Sequence, residues 1–83
     1  MRIVESSFFR ACKNHLSDQE LEGLDKEIDR IKEKPLLGVP RPKIRDDLYT
    51  HFYEDEWGKK ILSYRYQNQK IRLVSIDRNT FKL

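Results

Sequence analysis

"KKILSYRYQNQKIRLVSIDRN", residues 59–79, decides the fold of this 83-residue chain. Two runs rich in β-branched and aromatic residues flank Asn68-Gln69, which is the pattern of a β-hairpin. A two-residue turn there sets Gln67 opposite Lys70, Tyr66 opposite Ile71, Arg65 opposite Arg72 and Tyr64 opposite Leu73. Opposed residues point to the same side of a sheet. One side then carries Leu62, Tyr64, Tyr66, Ile71 and Leu73, and is the expected core face. The other carries Ile61, Ser63, Arg65, Arg72, Val74, Ile76 and Arg78. Like charges set directly opposite each other destabilise a ladder. Arg65 and Arg72 therefore require either an anionic partner or a bulge that breaks their pairing.

Working back from the hairpin, "LYTHFYED" (48–55) alternates as a strand and "EWGK" (56–59) is a turn. Leu48, Thr50 and Phe52 make one face of that strand; Tyr49, His51 and Tyr53 make the other. If the second set shares a side with the arginines, the open face shows a histidine, tyrosines and guanidinium groups. Guanidiniums grip phosphates and bases stack on such rings. Before this strand, "KPLLGVPRPKIRDD" (34–47) is a loop by its three prolines and Gly38, with Lys34, Arg41, Lys43 and Arg45 as its cations.

Further upstream, "LSDQEL" carries a capping box of Ser17 and Glu20, with Leu16 and Leu21 placed as a hydrophobic staple. Leu21, Leu24, Ile28 and Ile31 mark the apolar face of the helix that follows, and Pro35 ends it. "SSFFRACKNHL" predicts a short helix on Phe8, Cys12 and Leu16, and "MRIVES" a first strand. The order is β-α-α-β-β-β. It predicts one α+β domain over residues 1–83, with two helices packed on one face of a small, mostly antiparallel sheet.

Charged residues make up 37% of the chain and the net charge is +3. Residues 17–33 are balanced to acidic, while 34–83 hold most of the surplus Lys and Arg, an asymmetry compatible with a polyanionic partner. The single cysteine, Cys12, excludes an internal disulfide framework and a Cys-based zinc site. No cofactor or metal is expected. No segment reads as a signal peptide or membrane span, so a cytoplasmic protein without a membrane partner is expected.

In order and in length, these parts resemble the RelE/ParE superfamily of small bacterial toxins. The resemblance rests on "LSDQELEGLDKEIDRIKEKPLLG", "PKIRDDLY", "KKILSYRY" and "IRLVSIDRN" together. It implies a toxin of a type II toxin–antitoxin system, neutralised by a cognate antitoxin. RelE-like members cleave messenger RNA on the ribosome without a metal, by attack of the RNA 2′-hydroxyl on the adjacent phosphorus. ParE-like members instead inhibit DNA gyrase without chemistry, and a non-catalytic binding module of the same fold is a third reading. Carried onto this chain, Lys43 and Arg45 match the basic pair before the second strand. Lys60 matches the usual arginine of the next strand, and Arg78 the basic residue after the last. His51 matches no motif; it is put forward on chemistry alone, as a neutral-pH proton carrier. The expected catalytic set is His51, Lys60 and Arg78. The expected RNA contacts are Lys43, Arg45, Arg65, Arg72 and Phe81. Where many RelE-like nucleases carry a tyrosine or histidine shortly after the last basic residue, this chain has Asn79, Thr80 and Phe81; Phe81 can stack on a base but cannot move a proton.

Overall fold

The computed structural model describes residues 1–78, so Phe81 lies outside the described residues. The elements are β1 (Arg2–Glu5), α1 (Ser7–Lys13), α2 (Asp18–Glu33), β2 (Val39–Pro40), β3 (Leu48–Asp55), β4 (Gly58–Gln67) and β5 (Lys70–Arg78). The five strands form one sheet in the order β1-β5-β4-β3-β2. β1 runs parallel to β5, and every other pairing is antiparallel. The expected two-helix α+β architecture is therefore present. One element was not expected: β2, two residues inside the proline-rich loop, pairs Val39 with Thr50 and Pro40 with Tyr49. Pro40 has no N–H to give to a ladder, which suits it to a short edge strand.

α2 starts where the sequence places its cap. Ser17 Oγ accepts from the Glu20 N–H at 3.2 Å, and the Ser17 N–H donates to Glu20 Oε1 at 3.0 Å. Leu24 and Ile31 on α2 are fully buried, with Leu21 and Ile28 packed beside them. On α1 the core residue is Phe9, wholly buried, while Phe8 is 62% exposed. Both phenylalanines fit a helical stripe with Cys12, so spacing alone does not separate them. The choice is made by Ser6, the α1 cap, which is tied to β5 by its N–H (Leu73 O, 3.0 Å) and its hydroxyl (Val74 O, 3.0 Å).

The hairpin turns at Asn68 and Gln69 with φ of 54° and 60°, the left-handed pair that a type I′ turn requires. The register runs as the sequence predicts through Tyr64–Leu73, including Arg65 opposite Arg72. Then it shifts. Ser63 faces Ser75, leaving Val74 as an extra residue, a β-bulge. Beyond the bulge the sides exchange. Ile76 lies opposite Leu62 and Arg78 opposite Lys60, on the helix-covered side rather than the open side expected for them. The Val74 carbonyl, freed from the ladder, is the one that accepts from Ser6.

The core joins Phe9, Leu24, Ile31, Leu62, Tyr64, Ile71, Leu73 and Ile76. Tyr64 also fastens the loop after α2: its hydroxyl donates to Pro35 O at 2.6 Å and accepts from the Gly38 N–H at 2.9 Å. A Cβ at Gly38 would come within 2.8 Å of that hydroxyl oxygen, so only glycine fits without a shift. Pairing with β4 fixes the phase of β3. Tyr49, His51 and Tyr53 oppose Tyr64, Leu62 and Lys60 and face the helices. His51 therefore does not share a side with Arg65 and Arg72.

Candidate nucleic-acid interface and the buried ion cluster

The side of the sheet away from the helices carries Leu48, Thr50 and Phe52 of β3 with their partners Arg65, Ser63 and Ile61 of β4. Arg72 faces Arg65, and Arg2 of β1 faces Lys70. The Arg65–Arg72 conflict is relieved from within the chain on one side. Arg65 Nε donates to Asp47 Oδ2 at 3.0 Å, and Arg45 Nε donates to Oδ1 of the same carboxylate at 3.1 Å. Burial pushes the Asp47 carboxyl up, but Arg65, with Arg45 behind it, outweighs this and holds it below the usual carboxylate range. Arg72 is exposed and has no salt bridge among the described residues. Asp47, Arg65, Gln67, Asn68, Lys70 and Arg72 line an open hollow of about 250 Å³ at the turn end of the hairpin.

Farther along the same face, Arg41 Nε donates to Thr50 Oγ1 at 2.9 Å. Its guanidinium carbon lies 5.8 Å from the centroid of the half-exposed Phe52 ring, a cation–π contact. Lys43 is exposed two residues beyond Arg41.

Lys60, Arg78 and His51 lie on the other side, beneath α2. The Lys60 side chain is fully buried, with Nζ 2.7 and 2.9 Å from the two Asp55 oxygens and 2.9 Å from Glu20 Oε2. Arg78 Nη2 donates to Glu20 Oε1 at 2.8 Å and to His15 O at 3.2 Å. Glu20 thus binds its own helix cap and both cations at once. The Ser17 N–H, then Lys60 and Arg78, overcome the cost of burial and hold its carboxyl at about 2. His51 Nε2 is 3.3 Å from Glu27 Oε2, and its ring stacks on Tyr53 with centroids 5.8 Å apart. Burial, with the Asp55, Glu27 and Glu20 carboxylates, raises the Tyr53 hydroxyl well above its ordinary value. That hydroxyl is buried without a hydrogen-bond partner among the described residues.

The expected site is therefore divided by the sheet. Arg65 and Arg72 stand on the open face, and Lys43 and Arg45 on the exposed loop beside it. His51, Lys60 and Arg78 join a charge-compensated cluster that fastens α2 to the sheet. Lys70, Asp47 and the Arg41–Phe52 pair complete the open face and were not singled out from sequence. The signal for Lys70 was present, since a cation opposite Gln67 follows from the same turn that sets Arg65 opposite Arg72. Among the described residues no cluster of His, Cys, Asp and Glu could hold a metal ion, and no helix is long and apolar enough to cross a membrane.

No family model and no curated protein matches the sequence. Solved structures do match. A chain of the intact E. coli RelBE toxin–antitoxin complex superposes with a TM-score of 0.76, over 96% of this chain and 98% of that one, at 13% identity. The chain has the RelE fold. The isolated E. coli RelE toxin gives a TM-score of 0.77 over 98% of this chain and 86% of its own, again at 13% identity. The RelE likeness thus spans the whole sheet and both helices, whereas few side chains are shared.

Proposed function

We propose that this chain is a RelE-like toxin that acts on messenger RNA in the translating ribosome and is neutralised by a protein antitoxin. The observation that carries the reading is the open face of a RelE-fold sheet with Arg65 opposite Arg72, flanked by Lys70, Arg2, Arg41, Lys43 and Arg45. Such a surface suits a phosphate backbone better than an apolar partner. The solved RelBE complex supports an antitoxin as the second partner.

The reaction that fits is transesterification within the RNA. The 2′-oxygen forms a bond to the adjacent phosphorus, the bond from phosphorus to the 5′-oxygen breaks, and a 2′,3′-cyclic phosphate and a 5′-hydroxyl result. The 2′-hydroxyl loses a proton and the leaving oxygen gains one. Arg65 and Arg72 would hold the phosphate and stabilise its added charge. Among the described residues no histidine or tyrosine lies on the open face. In this reading proton transfer falls to solvent or to ribosomal groups, and Lys60, Arg78 and His51 keep the fold in place.

The test is a purified translation reaction with primer-extension mapping of the message. New 5′ ends that appear only while ribosomes translate, and fade with Arg72→Ala, are expected. Uncut message under active translation would end this reading. The burial of His51 favours a second one, a binding toxin without chemistry, including inhibition of DNA gyrase. Intact message together with blocked supercoiling at saturating protein would select it.

A further inference from the structure

We infer that the chain pairs with a second copy of itself, the Trp57 turn of each copy seated on the proline-rich loop of the other. Such pairing is independent of the proposed action on RNA. It starts from two exposed patches of complementary chemistry. The turn between β3 and β4 carries Trp57, half-exposed, close to the exposed carboxylates of Glu54 and Glu56. This turn is held in shape: the Trp57 backbone N–H donates to Asp55 Oδ1 at 2.9 Å, and Lys60 fixes the same carboxylate from beneath. The second patch is the loop between β2 and β3. Pro40, Arg41, Pro42, Lys43 and Ile44 line an open hollow of about 360 Å³ there. Ile44 is 75% exposed, on a helical turn closed by its own N–H and that of Arg45, each donating to Arg41 O at 3.0 Å. Both patches are thus shaped before they meet a partner, which keeps the ordering cost of binding low.

An indole ring packs well on proline, and it is the best aromatic face for a cation such as Arg41 or Lys43. Exposed tryptophan and arginine are also the side chains that most often anchor interfaces. Glu54 and Glu56 bring negative charge to the two cations of the hollow. Among the described residues Glu54, Glu56 and Lys43 make no salt bridge. Within one chain the patches cannot meet. The Arg41 N–H donates to Leu48 O at 2.9 Å, which ties the loop to the start of β3, whereas the turn follows Asp55 at its end. Seven steps of about 3.4 Å put about 24 Å between them. On this edge β2 covers only Tyr49 and Thr50, and the rest of β3 is open among the described residues. A two-fold axis that sets two such edges antiparallel brings each turn to the other copy's loop. It also leaves each β2 the open end of the other β3 to lie beside. Both patches are then filled, and the assembly closes at two copies. Pro40 has no N–H to offer across the join, so side chains rather than a continuous ladder carry the contact.

Sedimentation velocity from about 1 μM to about 1 mM, the span of a small transient contact, tests this. The mass should rise from that of one chain towards that of two. Trp57 is the only tryptophan in the sequence, so its emission should move to shorter wavelength over the same range. Trp57→Ala and Ile44→Glu should each weaken association by about tenfold or more. Lys43→Glu sets two carboxylates against each other, and Glu56→Lys sets two cations against each other, so each alone should lose about tenfold. An equimolar mixture of those two variants restores both charge pairs and should regain the parental affinity. Urea midpoints equal to the parent's would show that each variant is folded. A chain that stays monomeric to about 1 mM, parental association of Trp57→Ala, or a mixture no tighter than either charge variant alone would each overturn the inference. Growth beyond two copies would also overturn it, since that marks an open chain of contacts. So would a monomer whose Trp57 emission answers to oligolysine, which would give the turn to a different, basic partner.

Discussion

Replacing Glu20 with Gln isolates the charge at the centre of the buried cluster. Glutamine keeps an acceptor for the Ser17 N–H, so the helix cap survives. What is lost is the anion between Lys60 and Arg78, at 2.9 and 2.8 Å. Among the described residues Lys60 is then left with Asp55 alone, in a site closed to water. The Glu20 carboxyl is held at about 2, against an ordinary value of 4.5. At 1.36 kcal/mol per pH unit this difference corresponds to about 3 kcal/mol. Arg78 is half-exposed, and solvent screening there reduces the figure to about 2 kcal/mol. A carboxyl lowered on folding adds stability above its unfolded value, and that stability is lost as pH falls through the folded value. Urea titrations from pH 7 down to 2 should therefore show Glu20→Gln about 2 kcal/mol less stable at pH 7. The gap should hold down to about pH 4.5 and close towards pH 2. A variant as stable as its parent at pH 7, or a gap that does not change with pH, would refute the assignment of Glu20 as the cluster's ionised centre. Adding Lys60→Met to Glu20→Gln removes the stranded cation and should recover part of the loss, as neutral replacement of a buried pair often does.

Three other perturbations probe separate parts of the fold. Gln69 sits at φ 60°, where a side chain costs about 1–2 kcal/mol, so Gln69→Gly should raise the unfolding free energy from urea titration by about 1 kcal/mol. Phe9→Ala should cost about 3–5 kcal/mol, whereas Phe8→Ala should stay within about 0.5 kcal/mol of the parent; paired thermal melts check this, and equal losses would deny that α1 turns Phe9 inward. Tyr64→Phe leaves the Pro35 carbonyl and the Gly38 N–H without their partner, and should cost about 1–3 kcal/mol by chemical denaturation, with faster amide exchange at Gly38.

The hairpin was legible because its information is local. Asn68 tolerates the left-handed turn, and a two-residue turn fixes every pairing up to Tyr64–Leu73. The α2 start was legible for the same reason, since Ser17 and Glu20 are three residues apart. The bulge was not, because Val74 looks like any other β-branched strand residue. What draws it out of the ladder is Ser6, 68 residues away in sequence. Missing that single residue moved Ile76 and Arg78 to the wrong side. His51 escaped for a related reason. Alternation along β3 separates two faces but does not say which of them meets the helices; the pairing of His51 with Leu62 does. The cations were visible in the sequence, but their division between an exposed face and a buried cluster depends on Asp47, Asp55 and Glu20, whose partners are distant in the chain.

The Val74 bulge also makes β5 modular. Arg72 and Arg78 are six residues apart, an even spacing that would place them on one side of an unbroken strand. With the extra residue between them, one looks to solvent and the other to Glu20. Their contributions should add independently, since they share no partner among the described residues. Substitutions on the open face can therefore change that surface without touching the cluster that holds α2. A change of length in β5 has no such freedom: deleting or adding one residue near Val74 exchanges the sides of everything beyond it. In this strand, variation in side chains is tolerable where variation in length is not.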